Sequence, residues 1–452
     1  MRGKCTLVFE YKRVYAEETM RTNIIYEGAD QLTYEIRGIV EVAESLQKMG
    51  IVIEWENIGD PIAKGETVPQ WIKEIFVSVS AGDDRAFAYS PTKGVSETRE
   101  YLARTRSEEG GVHIGGDDIL FFNGLGDAIS NVYTYLNTHA RVIGPDPAYP
   151  THSSAEAAHA GSPHLSYNLN PKRNWLPDIE DLRNKVRYNP AIAGIIIINP
   201  DNPTGMVYPR AILEEIVGIA REYDLFIISD EIYARLAFGE APFISLAEII
   251  GECPGIALRG LSKEVPWPGS RCGWIEVYNR EKDPIFSRYV RTLVDAKMLE
   301  VCSTTFPQMT IPKIFEDARY AEHIKSRVQK YAARAAYAFQ VFQKVRGILA
   351  PKPAGAYYYS VVFEKDRLTA KQTLPVSRDT VREFIEAKVA NVSLDKRFVL
   401  YLMASTGICV VPLSGFNSDL PGFRFTLLEP DEKKFKKRVN TIAKAIEAYL
   451  CS

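Results

Sequence analysis

The chain has 452 residues, of which 46% are hydrophobic and 25% charged, a balance typical of a globular protein with more than one packed unit. Its 55 Lys and Arg against 57 Asp and Glu give a formal net charge of −2, which does not favour binding to nucleic acid or to an anionic membrane surface. The six cysteines lack a CxxC pair, the N-terminus lacks a signal-peptide core, and no stretch approaches the roughly 20 apolar residues of a membrane span. We therefore predict a cytoplasmic protein with reduced thiols and no metal site.

Short apolar runs alternate with helical patterns from about residue 89 to residue 278. The runs are apolar at every position, as in Ile195–Ile198, which is typical of strands buried on both faces of a sheet. Between two of them, Arg210–Tyr223 has the apolar stripe of a helix. We predict the α/β class, with a mainly parallel central sheet covered by helices. The predicted strands are Arg141–Gly144, Gly194–Ile198, Leu225–Ser229, Gly255–Leu258 and Gly273–Val277.

Long helical patterns follow residue 283, including Ala321–Val345. From about residue 347 the pattern changes to α+β, with a strand at Ala356–Phe363, a helix at Asp379–Val392 and a strand at Phe423–Leu428 before a closing amphipathic helix. The polar stretch Lys365–Arg378 has no clear period and is predicted to be a surface excursion. This last part of the chain is predicted to be a second domain.

Two polar motifs directly follow predicted strands. Asn199–Gly205 (NPDNPTG) fixes a turn that would present Asn202 at the carboxyl end of its strand, although a rigid surface turn is equally consistent with it. Ser229–Tyr233 (SDEIY) ends the next strand, so Asp230 lies where parallel sheets bind ligands. A helix N-cap is as common a role for such an acid.

Of two further segments, one contains a lysine and an arginine, and the other is a glycine-rich turn. Gly260–Gly273 (GLSKEVPWPGSRCG) places Lys263 and Arg271 on either side of a Pro-Trp-Pro-Gly loop that cannot form regular helix. A lone lysine in a loop is usually solvated surface. Gly124–Ala128 (GLGDA) opens a predicted helix, where small residues expose backbone N–H groups to an anion, although such turns are more often structural.

The joint order of these motifs is more specific than any one of them. Together with YSPTKG at 89–94, PDPAYP at 145–150, KPAGAYY at 352–358 and FRFTLLEP at 423–430, they resemble the fold-type I, class I and II aminotransferases of the aspartate aminotransferase superfamily. The resemblance runs from about residue 34 to the C-terminus. It implies a large domain at 64–346, a smaller α+β domain formed by 34–63 and 347–452, and an N-terminal extension at 1–33.

The resemblance also implies pyridoxal 5′-phosphate (PLP) as the cofactor. Lys263 is expected to be the Schiff-base lysine, whose amine binds the cofactor aldehyde and then moves the substrate Cα proton. Asp230 is expected to keep the pyridine nitrogen protonated, so that the ring can accept electrons. Tyr233 and Asn202 are expected to donate to the phenolic oxygen, and Tyr149 to stack on the ring unless it is a core residue.

For the cofactor phosphate, the resemblance implies a guanidinium, a hydroxyl and the backbone at a helix start. The residues expected to bind it are Arg271, Ser262, Gly124, Leu125 and Gly126. The family often has a hydroxyl where this chain has Gly260, so one phosphate hydrogen bond is missing or replaced. Tyr89 is expected to reach the phosphate of a neighbouring subunit, which implies a homodimer.

For the substrate, Arg424 resembles the residue that binds the α-carboxylate, with help from Asn202, and Gly59 the glycine at which backbone approaches it. The segments YEIRG and NIGDP resemble the alanine-aminotransferase-like branch. Tyr34 and Arg37 would then lie near the entrance. Arg37 would receive the distal carboxylate of glutamate or, with equal weight, form an ordinary salt bridge.

One segment departs from that branch, which tends to have an arginine ahead of its cysteine. Here the sequence reads EVCSTTFPQ, with Glu300. Its carboxylate would disfavour acidic substrates or pair with a nearby cation. The small polar residues Ser303, Thr304 and Thr305 suggest a pocket that is not purely apolar.

We predict a ping-pong aminotransferase that exchanges an amino group between an L-amino acid and a 2-oxo acid, of the alanine/glutamate type. A carbon–sulfur lyase, a synthase or a decarboxylase with the same PLP residues is the alternative, because the cofactor supplies the electron sink and the protein selects the bond. A PLP-binding regulator is less favoured, since about 33 residues ahead of the resemblance are too few for a DNA-binding domain.

Overall fold

The computed structural model describes residues 22–32 and 35–452, with the side chains of residues 35–37 left out. The expectations for Tyr34 and for the Arg37 side chain, and most of the extension at 1–33, therefore lie outside the described residues. Within the described ranges, no helix combines the length and the apolar character needed to cross a bilayer.

The helices of the described residues are α1 Glu35–Lys48, α2 Gln70–Gly82, α3 Ser96–Glu109, α4 Leu125–Thr134, α5 Pro150–Ala160, α6 Ile179–Tyr188, α7 Arg210–Glu222, α8 Leu246–Ile249, α9 Leu261–Glu264, α10 Pro284–Glu300, α11 Thr305–Phe315, α12 Arg319–Phe342, α13 Asp379–Lys388, α14 Leu394–Thr406 and α15 Glu432–Leu450. The strands are β1 Glu54–Trp55, β2 Ile119–Phe122, β3 Arg141–Asp146, β4 Ser166–Asn170, β5 Leu176–Pro177, β6 Ile192–Ile198, β7 Phe226–Asp230, β8 Gly255–Gly260, β9 Gly273–Tyr278, β10 Ile348–Leu349, β11 Tyr358–Phe363, β12 Ile408–Cys409, β13 Val411–Pro412 and β14 Gly422–Thr426.

The central sheet has eight strands in the order β2-β9-β8-β7-β6-β3-β4-β5. The pairs β8-β7, β7-β6, β6-β3 and β3-β4 are parallel, which confirms the α/β class and the mainly parallel sheet. Ile195 and Ile197 of β6 pack in one core cluster with α7, and Ile196 and Ile198 pack in another with α4. Because helices cover both faces, every residue of this run is buried, which is why the sequence lacks alternation.

The strand β9 runs antiparallel to both of its neighbours, β8 and β2. The mainly parallel sheet thus contains one strand of opposite direction, which the apolar pattern of its sequence did not specify. The connection at 261–272 contains only the four-residue helix α9 and a single 3₁₀ turn. A parallel crossover needs a longer connection, usually a full helix over the sheet, so the chain turns back. The amino end of β9 therefore lies at the same sheet edge as the carboxyl end of β8.

The C-terminal part contains a four-stranded antiparallel sheet in the order β10-β11-β14-β13. The short strand β1 pairs with β12 in parallel, so the segment after α1 joins the C-terminal part. In β14, Arg424 lies opposite Ser360 of β11. The exact division of the chain at residues 63 and 346 stays a prediction.

Within the predicted surface excursion Lys365–Arg378, the chain forms no helix or strand. Three of its apolar residues, Leu368, Leu374 and Val376, are nevertheless buried in the core cluster that includes α14 and α15. The expectation of a surface segment is therefore wrong for these side chains. Their irregular spacing, which suits neither a helix nor a strand, concealed their burial.

Candidate active site

Five strands deliver polar side chains or exposed backbone to one edge of the central sheet. The carboxyl ends of β2, β3, β6, β7 and β8 lead to Gly124, Tyr149, Asn202, Asp230 and Lys263, respectively. Arg271 precedes β9, which begins at the same edge because it runs antiparallel. The edge outside the carboxyl ends of parallel strands is where such sheets bind ligands. The fold thus brings together residues that are spread over about a third of the chain.

Lys263 lies on α9, a single helical turn, and not in a loop as the sequence suggested. Its Nζ donates a hydrogen bond of 2.8 Å to the carbonyl oxygen of Gly59. Loss of hydration lowers the pKa of Lys263 to about 8, with Asp60 as the nearest opposing charge. The amine is thus much nearer to its neutral, nucleophilic form at physiological pH than an exposed lysine.

Asp230 is buried at the end of β7 and accepts hydrogen bonds on both oxygens. Its Oδ1 accepts the N–H of Ile232 at 3.1 Å, and its Oδ2 lies 3.1 Å from Nε2 of His152. His152 can donate to this oxygen in the tautomer that carries its proton on Nε2, and its Nδ1 lies 3.4 Å from the hydroxyl of Tyr133. The sequence analysis missed His152. Its position on α5, one helical turn after Tyr149, is the signal that was available.

Tyr233 is buried beside two tyrosines of the KPAGAYY motif. Its hydroxyl lies 2.9 Å from that of Tyr358, and its ring packs edge-on against those of Tyr357 and Tyr358. Tyr357 donates a hydrogen bond of 3.0 Å to the Gly59 carbonyl, so Tyr357 and Lys263 share one acceptor. Burial raises the pKa of Tyr233 well above its usual value, which keeps its hydroxyl protonated as a donor. Neither Tyr357 nor Tyr358 was assigned a role from sequence.

The close packing at Gly59 requires a glycine. A Cβ at this position would lie 2.2 Å from the hydroxyl of Tyr358, far inside van der Waals contact. Any side chain would therefore displace either Tyr358 or the carbonyl that accepts the Lys263 amine. The expected role of Gly59, a close approach of backbone to the site, is consistent with this geometry.

Arg424 and Asn202 are brought into contact although 222 residues separate them. Nη1 of Arg424 donates to Oδ1 of Asn202 at 3.2 Å, and Nη2 donates to the carbonyl of Asn57. The guanidinium carbon lies 4.5 Å from the ring centre of Tyr358 and 5.0 Å from that of Phe416. Among the described residues, Nε of Arg424 and Oδ1 of Asn57 are buried without a hydrogen-bond partner. A buried guanidinium with a free donor suits a bound carboxylate.

The expected phosphate site lies where α4 begins. Gly124 has a φ of 84°, and a Cβ there would lie 2.4 Å from Nη2 of Arg271. Arg271 donates to the carbonyls of Asn123 and Pro268, each at 3.2 Å, which holds its exposed guanidinium beside this turn. The first N–H groups of a helix have no partner within it and form its positive end. The turn at Gly124, Leu125 and Gly126 therefore fits an anion, with Ser262 partly buried on α9.

Where the family often has a hydroxyl-bearing residue, this chain has Gly260, and the packing around it explains the difference. A Cβ at Gly260 would lie 2.9 Å from the carbonyl oxygen of Cys272 and 3.2 Å from the Cα of Gly273. The close pairing of β8 with β9 therefore leaves no room for a serine or threonine at this position. A hydroxyl for the phosphate would have to come from elsewhere.

Tyr89 is 85% exposed and lies on the surface of the chain. Phe87, two residues earlier, is 71% exposed. The backbone between them is fixed, because Thr305 Oγ1 donates to the carbonyl of Ala88 at 2.7 Å. The expected contact with a second subunit stays a prediction.

Glu300 pairs with a cation, as one of its two interpretations proposed. Lys297, one turn earlier on α10, is buried and donates to Glu300 Oε2 and, at 3.1 Å, to Asp127 Oδ2. Asn123 donates to the other oxygen of Glu300. Glu300 therefore supports the loop that precedes Gly124.

The hydroxyls of the neighbouring residues Ser303, Thr304 and Thr305 also donate hydrogen bonds. Ser303 donates to the carbonyl of Phe121 at 2.8 Å, and Thr304 to Oδ1 of Asn123 at 3.0 Å. With Thr305 bound to Ala88, all three hydroxyls stabilise loops at the sheet edge. They therefore act here as structural donors.

Comparison with known proteins agrees with this geometry. The model of the family "Aminotransferase class I and II" matches residues 57–442. An uncharacterized aminotransferase of Methanocaldococcus jannaschii is 51% identical over 95% of this chain and 100% of its own length. The glutamate-pyruvate aminotransferase AlaA of Escherichia coli is 28% identical over 93% of this chain and 97% of its own. The structure of alanine aminotransferase from Pyrococcus furiosus superposes with a TM-score of 0.78 at 26% identity, covering 92% of this chain and 98% of that one.

The match to the family model covers most of the chain and includes every described site residue from Gly59 to Arg424. The fold, with its mainly parallel sheet and smaller antiparallel sheet, is that of the fold-type I aminotransferases. The chain belongs to the class I and II aminotransferase family.

Proposed function

We propose that this aminotransferase uses PLP to exchange an amino group between an L-amino acid and a 2-oxo acid by a ping-pong mechanism. The observation that carries the proposal is the position of the Lys263 amine. It lies on the Gly59 carbonyl within electrostatic reach of Asp230, Arg271 and Arg424, with a pKa of about 8. A nucleophilic amine, a buried acid and two guanidiniums at one sheet edge meet the needs of amino-group transfer.

The residues at the sheet edge fit PLP. When bound, PLP supplies an aldehyde and an electron-accepting ring that make the Cα proton of an amino acid acidic. Arg271 and the start of α4 would hold the phosphate, and Asp230, supported by His152, would hold a proton at the ring nitrogen. Tyr233 and Asn202 would donate to the phenolic oxygen, and Tyr149 would stack on the ring.

Lys263 would both attach the cofactor and move the proton. With a pKa of about 8, about half of the amine is neutral at pH 8, so Lys263 could take a proton from the substrate Cα and deliver it to the C4′ carbon of the cofactor. The Gly59 carbonyl gives the amine a fixed position when it is not bonded to the cofactor.

Arg424 would bind the α-carboxylate of both substrates. Its guanidinium is fixed by Asn202 and lies between the rings of Tyr358 and Phe416. The planar fork can give a carboxylate two parallel hydrogen bonds, which lysine cannot.

Alanine with 2-oxoglutarate, or glutamate with pyruvate, is the proposed substrate pair. The similarity to the AlaA and Pyrococcus furiosus enzymes supports it. The pairing of Glu300 with Lys297 supports it as well, since this carboxylate is then partly neutralised. Tyr34 and Arg37 would lie near the entrance, where Arg37 would receive the distal carboxylate of glutamate.

We also propose that the protein is a cytoplasmic homodimer in which Tyr89 completes the phosphate site of the second subunit. The exposure of Tyr89 and Phe87 on a well-fixed backbone supports a protein contact at this surface. An exposed pair of large rings is unusual away from an interface.

The test is a half-reaction screen. The PLP-loaded protein is mixed with each of the twenty amino acids, and the visible spectrum and the products are followed. Conversion of the cofactor to pyridoxamine phosphate by alanine and glutamate, with release of pyruvate and 2-oxoglutarate, is expected. Release of ammonia with pyruvate, or of CO2, would assign a lyase or a decarboxylase instead.

A further inference from the structure

Arg327, a buried residue of α12, binds the backbone of the helix that carries Lys263. Its Nη1 donates to the carbonyl oxygens of Lys263 at 2.7 Å and of Glu264 at 2.9 Å. These are the last two carbonyls of α9. The final carbonyls of a helix have no partner within it, and one turn of helix is not stable alone. Arg327 therefore supplies the donors that α9 lacks.

The same guanidinium pairs with Glu66. Nε and Nη2 of Arg327 donate to Oε2 of Glu66 at 3.2 and 3.1 Å. Lys330 and Tyr331 donate to the other oxygen. Burial alone would raise the pKa of Glu66, but the charges of Arg327 and Lys330 hold it below its usual value. The carboxylate is thus ionised and ordered at neutral pH.

Glu66 belongs to the segment that also contains Gly59. The Gly59 carbonyl accepts the amine of Lys263, while Arg327 connects Glu66 to the carbonyl of Lys263. Lys263 is therefore held at its backbone and at its amine by the two ends of one short segment. Hydrogen bonds therefore lead from Lys263 to Arg327 and from Arg327 to Glu66, the chain leads from Glu66 back to Gly59, and a hydrogen bond returns from Gly59 to Lys263.

We propose that Arg327, paired with Glu66, is a positioning residue that fixes the direction in which α9 presents the Lys263 amine. Arg327 touches neither substrate nor cofactor in this scheme and acts through the backbone of α9. A proton transfer between carbon atoms depends steeply on the position of the base, since a displacement of about 1 Å can cost roughly 100-fold in rate. The inference rests on the proposed role of Lys263.

The test compares Arg327→Gln, Arg327→Lys and Glu66→Gln with the control Lys325→Gln. Lys325 is an exposed residue of the same helix, α12, and its ion pair is with Glu322 and not with Glu66. In the cofactor-free proteins, Lys263 is acetylated with acetic anhydride over a pH series, and the modified peptide is quantified by mass spectrometry. In the PLP-loaded proteins, the half-reaction with alanine is followed, and thermal melting is measured for both forms.

For Arg327→Gln we expect the midpoint of acetylation to rise by about half a pH unit or more, because a loosened α9 lets water reach the amine. The half-reaction should slow about tenfold or more, with the KM changed less than about threefold. Arg327→Lys should recover part of the rate, because an ammonium cannot span both carbonyls and the carboxylate. Lys325→Gln should change neither quantity.

The proposal is overturned if Arg327→Gln melts like the parent and keeps its acetylation midpoint and half-reaction rate, or if Lys325→Gln is equally impaired. If Arg327→Gln does not fold, Arg327→Lys and Glu66→Gln decide by the same two measurements. Acetylation needs no cofactor, so it still reports on Arg327 if the screen of amino acids contradicts the proposed function.

Discussion

The Lys263 amine lies 2.8 Å from the Gly59 carbonyl oxygen, although 204 residues separate the two in the chain. Tyr357 donates to the same oxygen, and Asp60 follows directly in sequence. The segment around Gly59 therefore sets both the position of the amine and its charge. The predictions below test this site from different sides.

The pH dependence of cofactor capture should follow the pKa of Lys263, about 8. Only the neutral amine attacks an aldehyde, so the rate at which apoprotein and PLP form the visible band should rise about tenfold per pH unit below pH 8 and level off above it. Asp60→Asn removes the nearest charge that favours the ammonium, so its midpoint should be lower. A parent midpoint near the ordinary lysine value of 10.5 would contradict the buried amine.

Lys263→Ala should abolish turnover and the visible absorption of bound PLP while leaving the fold intact. The side chain is only partly buried, so its loss should change the melting temperature little. Absorption spectroscopy and the half-reaction measure both properties. Lys282→Ala, which removes an exposed ion pair with Glu252, is the control and should behave like the parent. Full activity in Lys263→Ala would refute the assignment.

Arg424→Lys should raise the KM for both the amino acid and the 2-oxo acid. Each hydrogen bond to a charged group is worth roughly 1.5–3 kcal/mol, so the loss of the planar fork should cost about 10- to 150-fold in kcat/KM. Steady-state kinetics with both substrates measure it. Arg291→Lys, at an exposed site on α10, serves as control. An effect on one substrate alone would show that Arg424 binds a side chain and not the shared α-carboxylate.

His152→Phe should slow the half-reaction about tenfold or more, because it removes the donor 3.1 Å from Asp230 Oδ2 and leaves a buried carboxylate oxygen unpaired. His152→Gln keeps a donor and should retain more of the rate. The comparison separates hydrogen bonding from packing against Tyr133 and Tyr149. Equal rates for the two variants would mean that the hydrogen bond does not matter.

Tyr89→Phe should weaken PLP retention more than it slows the chemical step, if Tyr89 reaches the phosphate of a second subunit. The sharper test mixes subunits that carry Tyr89→Phe with subunits that carry Lys263→Ala. In a hybrid dimer, one site receives both Lys263 and the partner's Tyr89, so mixing should restore tight PLP binding to one site per dimer. If mixing restores nothing, or if the protein is a monomer that retains PLP, the cross-subunit contact is wrong.

Much of the site was predictable from sequence because its chemistry is local. The motifs NPDNPTG and SDEIY each follow an apolar strand directly, so strand direction alone predicted that Asn202 and Asp230 share a sheet edge. The role of Arg424 was expected from the family resemblance of the motif FRFTLLEP. In each case the informative neighbours lie within a few residues in the chain.

The residues that were missed have partners that are distant in sequence. His152 lies 78 residues from Asp230, and Tyr358 lies 125 residues from Tyr233. Nothing in the pattern around a histidine on a helix or a tyrosine in a strand indicates which distant group it will meet. The sequence did not specify the direction of β9 either, because that direction depends on how the short connection at 261–272 packs.

The sequence by itself determined the α/β class, the buried strands and the chemical groups at their ends, because apolar periodicity and motif order are properties of adjacent residues. Only the tertiary structure decided that Lys263 lies on a helical turn, that its amine rests on Gly59 and that Arg327 joins this turn to Glu66. These contacts join segments 64 to 261 residues apart. They depend on how α9, α12 and the segment at 57–66 pack together, which no local pattern encodes.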